Sequence, residues 1–66
     1  MEEDWESLIG KRVLLRKRYL TTTSAIEATV VEISPSGIFV KFKWQSGSET
    51  WEVPGDEYSF SFDKLL

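Results

Sequence analysis

The chain contains no cysteine and no histidine. Disulfide staples and thiolate or imidazole zinc sites are therefore excluded. The side chains that most often act as nucleophile or general base near neutral pH are missing as well. A carboxylate site for Ca²⁺ or Mg²⁺ stays open in principle, but no loop spaces Asp, Asn and Gly as calcium ligands. No cofactor is expected. No apolar run approaches the ~20 residues that a helix needs to cross a bilayer. Met1 is followed by acids, not by a basic segment and an apolar stretch, so no secretory leader is expected. These absences predict a soluble cytoplasmic protein with no membrane partner.

At 66 residues the chain has room for one domain, 1–66, with 1–9 as an N-terminal extension or cap. So short a chain buries only about 60% of the surface that its unfolded form exposes. Aromatic residues make up 14% of it, and they can serve either a small core or an interface. The formal net charge is −3, which opposes non-specific binding to phosphates. The charge is unevenly spread. Lys11, Arg12, Arg16, Lys17 and Arg18 are five of the eight basic residues, and they follow an acidic lead of Glu2, Glu3, Asp4 and Glu6.

Periodicity organises the rest. Residues 2–8 read as a short helical turn with acids at its start, and Trp5, Leu8 and Ile9 share one face. Gly10 ends it. A first strand over 11–19 places Val13 and Leu15 inward and Arg12, Leu14, Arg16 and Arg18 outward. Residues 19–24 read as a loop, with Thr21-Thr22-Thr23 as a possible strand extension into a longer hairpin arm. The second strand, 25–34, alternates through Ile26, Ala28 and Val30 and then changes phase to Val31 and Ile33, the signature of a bulge. Ser34-Pro35-Ser36-Gly37 is a tight turn. A third strand, 38–44, sets Ile38, Val40, Phe42 and Trp44 on one face and Phe39, Lys41 and Lys43 on the other. A fourth, 49–53, turns Trp51 and Val53 inward. Tyr58 to Phe62 alternates as a last strand, with Leu65 or Leu66 plugging the end of the core.

Five short strands, tight turns and a bent second strand describe an all-β, five-stranded antiparallel barrel. With Gly10-Lys11-Arg12-Val13 opening the first strand, Ala28-Thr29-Val30 in the second, Gly37 before Val40-Lys41-Phe42, Gly47 before Glu49-Thr50-Trp51, and Leu65 near the end, the chain resembles the SH3-like small-barrel superfamily, in its Tudor-like and KOW-like branches. The match spans about residues 10–66. The resemblance implies a binding module for peptides, nucleic acid or other proteins, and the fold does not choose among them. A truncated OB barrel fits less well, because only Gln45 to Ser48 separates the third and fourth strands.

No catalytic constellation is expected: the clustered acids sit in a tail and a turn, and a small barrel has little pocket volume for a small-molecule substrate. Three binding surfaces are candidates. Arg12, Arg16 and Arg18 with Phe39, Lys41 and Lys43 interleave positive charge with a ring, as single-stranded nucleic acid requires; the same cations can instead pair across strands with Glu27, Glu32 and Glu52. Tyr19, Trp44 and Tyr58 at loop ends offer a cage for a methylated cation, as in Tudor-like domains. Outward Leu14 and Phe39 offer an apolar patch for a protein partner or a second copy. Taken together, these predict a non-catalytic module for protein interaction or assembly, with nucleic acid as the alternative and a methyl-lysine or methyl-arginine reader behind it. Arg12, Arg16, Arg18, Tyr19, Phe39, Lys41, Lys43 and Trp44 are the binding candidates.

Overall fold

A computed structural model describes residues 3–19 and 22–66; Met1, Glu2, Leu20 and Thr21, hence the start of the acidic lead and the tip of the predicted first loop, lie outside them. A 3₁₀ turn, Trp5–Leu8, precedes five strands: β1 Arg12–Tyr19, β2 Thr22–Ile33, β3 Val40–Trp44, β4 Glu49–Glu52 and β5 Phe60–Leu65. All pairings are antiparallel, in one sheet of order β4-β3-β2-β1-β5. Val13, Leu15, Ala28, Val30, Val40 and Phe42 line the inward face and are buried together with Leu8 of the turn.

A single sheet with one 3₁₀ turn against it can bury that face only by curling over itself. The curl is measurable. β3 and β5 stand three places apart in the sheet, about 14 Å if it were flat. Yet the rings of Trp44 and Phe60 lie 4.9 Å apart. The bend is located at Val30. On the β3 side Val30 pairs with Phe42 and Glu32 with Lys41, so Val31 is an extra residue. On the β1 side the Gly10 N–H donates to the Val30 carbonyl (2.7 Å) and the Val30 N–H to the Lys11 carbonyl (3.1 Å), so two residues face one. Gly10 has φ of 85°, the left-handed value that a glycine-led bulge requires. The extra residue belongs to the Gly10-Lys11 segment on one side of Val30 and to β2 on the other, and each bulge bends and twists the chain that carries it.

The phase slip predicted at Val30-Val31 is thus present, and so is the turn at Ser34. There the Gly37 N–H donates to the Ser34 carbonyl at 2.9 Å, with Gly37 at φ 78°. The sheet is not a closed barrel, however. β4 and β5 are its two edges, and no ladder joins them among the described residues. The 19–24 loop is also shorter than expected. Thr22, Thr23 and Ser24 belong to β2 and pair with Tyr19, Arg18 and Lys17, so the alternative of a longer hairpin arm is the one realised.

Other expectations are corrected. The phase of β4 is inverted. The turn of Gln45 to Ser48 brings Glu49 opposite Lys43, which puts Thr50 opposite inward Phe42 and turns Trp51 outward beside Lys41. Thr50 is tolerated inward because it lies at the sheet edge. Its hydroxyl accepts from the Trp44 indole N–H (2.7 Å) and donates to Glu52 (2.9 Å). Ile38 precedes β3 and is exposed, as is Ile9. Leu65 and Leu66 are each 50% exposed and plug nothing; Leu8 joins the core instead.

Phe42 carries the largest fully buried side chain, so Phe42→Ala is expected to cost about 3–5 kcal/mol. That is a third or more of the total for a chain of this size, at roughly 0.05–0.15 kcal/mol per residue. Phe39→Ala, at an exposed turn position, should cost less than about 1 kcal/mol. Urea unfolding of the two variants measures the difference.

Candidate docking groove and basic arm

On the outward face of the sheet, two of the cations are paired within the chain. Arg12 Nη2 lies 3.4 Å from Glu27 Oε1, and Gln45 Nε2 donates to the other oxygen of Glu27 at 3.4 Å. Lys41 Nζ lies 3.4 Å from Glu49 Oε1 and 5.6 Å above the centre of the Trp51 ring. Exposed pairs of this kind contribute about 0–1 kcal/mol each, so they say little about stability. They do remove Arg12 and Lys41 from the free positive charge. Lys43 faces outward opposite Thr29 and Glu49. Phe39 is exposed, but it sits in the turn, where its N–H donates to Ser34 Oγ at 3.1 Å.

Trp44 faces the other way. Its ring packs between Phe42 (5.5 Å) and Phe60 (4.9 Å), and its indole N–H is spent on Thr50. Trp5 extends the same chain of rings, edge-on to Phe42 at 5.5 Å and to Phe62 at 5.7 Å. Trp44 therefore packs at the core edge, partly buried.

Arg16, Arg18 and Tyr19 stand together with Lys17 on the free end of the β1–β2 hairpin. Every described residue from Arg16 to Ala25 is exposed. β3 pairs with Ala28 to Ile33, so among the described residues no strand lies beside the outer edge of β2 from Thr22 to Glu27. On the other side β5 reaches Lys17, whose ammonium lies 5.8 Å from the Phe60 ring, and the Arg18 N–H donates to the Ser59 carbonyl at 2.7 Å. The ion pairs among the described residues, Arg12–Glu27 and Lys41–Glu49, include none of Arg16, Lys17 and Arg18. The arm is thus a ribbon with three consecutive cations and an exposed ring, Tyr19 being 68% exposed.

A second feature was not expected from the sequence: an open groove of about 750 Å³ between the 3₁₀ turn and the segment that links β4 to β5. Its apolar lining comes from Trp5 and Phe62 at the core edge, Ile33 at the end of β2, and Ile38, Val53 and Pro54 in the turns. Glu3, Asp4, Glu6, Asp56 and Glu57 also line it, and no Lys or Arg does. All five carboxylates are exposed. They are the acids that sequence reading places in a solvated tail and a solvated turn; the fold brings tail and turn to one place. The linking segment is fastened, because the Gly55 N–H donates to the Phe60 carbonyl (2.8 Å) and the Tyr58 N–H to the Gly55 carbonyl (3.0 Å). Tyr58 lies against the glycine, since a Cβ at Gly55 would stand 3.0 Å from Tyr58 Cδ2. The volume falls in the ~300–1,000 Å³ range of ligand clefts, larger than so small a core suggests, because turns and not core residues enclose it.

Among the described residues no group of three or more carboxylates converges as metal ligands, and no helix is long and apolar enough to cross a membrane. Comparison with protein-family models, curated proteins and solved structures finds no match to this chain.

The orientation of β4 has a direct optical consequence. Trp51 is 43% exposed, whereas Trp5 and Trp44 are half-buried among other rings. Trp51→Phe should remove most of the acrylamide-quenchable tryptophan emission and change stability by less than about 1 kcal/mol. Unchanged quenching would mean that Trp51 faces inward after all.

Proposed function

We propose that this chain is a non-catalytic binding module of the SH3-like kind, and that its ligand is a protein segment carrying apolar and basic side chains. The observation that supports this reading is the groove, in which apolar and aromatic side chains lie among five exposed carboxylates, with no Lys or Arg among the described lining residues. Apolar contact supplies affinity, while the uncompensated negative charge selects a cationic partner and speeds its encounter. The curled five-stranded sheet with a bulged second strand is what supports the SH3-like assignment. A non-catalytic role is part of the proposal, because the chain has no His or Cys and its clustered acids face solvent.

Nucleic acid is the second reading, and a different observation favours it. Arg16, Lys17 and Arg18 have no ionic partner among the described residues and stand beside exposed Tyr19. Cations with a ring suit a single strand. The net charge of −3 and the neutralised Arg12 and Lys41 put it behind the protein reading.

Amide chemical-shift mapping separates the two. A peptide of alternating Lys or Arg with Leu should shift Trp5, Ile38, Gly55, Asp56 and Tyr58. Asp56→Lys/Glu57→Lys should weaken its binding roughly tenfold or more, about 1.4 kcal/mol. Gly55→Ala should also weaken it, by displacing the Tyr58 ring, with little loss of stability. Silence in the groove, together with steeply salt-dependent shifts of Arg16 to Tyr19 on adding a single-stranded oligonucleotide, would replace the protein reading by the second.

A further inference from the structure

We infer that the groove receives the β1–β2 arm of a second copy of this chain, so that the molecule self-associates through arm and groove; the inference rests on the groove being a protein-docking surface. The charges support it. From Val13 to Ile26 the only charged residues are Arg16, Lys17 and Arg18, while the groove lining carries five carboxylates and no cation. Neither set is neutralised among the described residues. The ion pairs of the described residues use Arg12, Glu27, Lys41 and Glu49, none of which belongs to the arm cations or to the groove. One sequence thus presents two complementary surfaces of opposite sign, each without an ionic partner among the described residues.

Shape and chemistry agree. The described residues of the arm, from Arg16 to Ala25, are exposed on both faces of a two-stranded ribbon. It brings an aromatic ring, Tyr19, to a lining that already contains Trp5, Tyr58 and Phe62. Among the described residues no strand lies beside its outer edge from Thr22 to Glu27. Docking against a second copy covers an unpaired edge that would otherwise invite unspecific strand addition. Ile33, which lines the groove, and Thr22, which begins the arm, are the two ends of β2, about 36 Å apart along the strand. Two copies can therefore exchange arms reciprocally, which closes a two-fold unit and pairs both sets of charge at once. Because the attraction is between exposed charges, it is strongest at low salt even though both copies carry net charge of one sign.

Sedimentation velocity of the full chain tests this, with concentration and salt varied and the charges exchanged. The wild-type chain should associate with rising concentration at low salt, and about 0.5 M salt should weaken that at least tenfold. Arg16→Glu/Arg18→Glu should sediment as a monomer, and so should Asp56→Lys/Glu57→Lys. An equimolar mixture of the two variants should associate again, because the native arm of one then meets the native groove of the other. Should either reversal unfold, the neutral pairs Arg16→Gln/Arg18→Gln and Asp56→Asn/Glu57→Gln serve instead, each expected to weaken association at least tenfold. Association that persists in both variants, or that the mixture fails to restore, overturns the inference. A wild-type chain that stays monomeric while the basic peptide still shifts the groove amides overturns self-association alone and leaves the docking groove. A monomer whose groove binds neither arm nor peptide overturns both.

Discussion

Val30 is the residue on which the rest of this structure turns. It is fully buried, it faces Phe42 across the sheet, and the ladder is irregular on both of its sides. Gly10 and Lys11 stand opposite it on one flank, and Val31 is inserted on the other. A bulge in β2 and another in the segment facing it meet at this one point and bend the sheet where, without a covering helix, it most needs bending. The consequence is a chain of rings, Trp5, Phe42, Trp44 and Phe60, that spans from the 3₁₀ turn to the first residue of β5. Strands that would be well separated in a flat sheet meet through side chains and not through a ladder.

That solution leaves the sheet open, and the openness shapes what the surface can do. β2 outruns its partner β3, so its first six residues form half of an exposed basic arm. At its other end Ile33 reaches the acidic groove. Between the two, the outward face spends Arg12 and Lys41 on Glu27 and Glu49. Outside these pairs, three cations stand side by side on the arm and five carboxylates line the groove. A net charge of −3 conceals this separation, which is why composition alone is a poor guide to the partner.

Much of the fold was legible because side-chain period reports directly on burial. Val13 and Leu15 in β1, Ala28 and Val30 in β2, and Val40 and Phe42 in β3 occupy the inward positions that alternation assigns them. The doubled Val30-Val31 revealed its bulge through the phase change. β4 was misread because a tryptophan suggests burial, whereas its register is set by the turn before it, and Thr50, not Trp51, falls opposite Phe42. The arm was legible only as an alternative, since threonines favour strands without saying where a hairpin ends. The groove was not legible at all. Its carboxylates lie near the N-terminus and at 56–57, and only the return of β5 to β1 brings them together. Of the binding candidates, Arg16, Arg18 and Tyr19 stand on one feature. Trp44 belongs to the core edge, Arg12 and Lys41 are paired, and Phe39 and Lys43 stand apart.

Removing Val31 tests the role of the bulge most directly. Its deletion leaves Val30 inward opposite Phe42, Glu32 outward opposite Lys41 and Ile33 inward opposite Val40, so every side chain keeps its face and the ladder becomes regular. If the bend is what lets the sheet bury its own face, the deletion should lower the free energy of unfolding by about 2 kcal/mol or more. That loss should clearly exceed the one produced by Val31→Ala, which removes the half-buried side chain and keeps the bulge. Equal stability of the deletion variant and the wild-type chain in urea unfolding would contradict it.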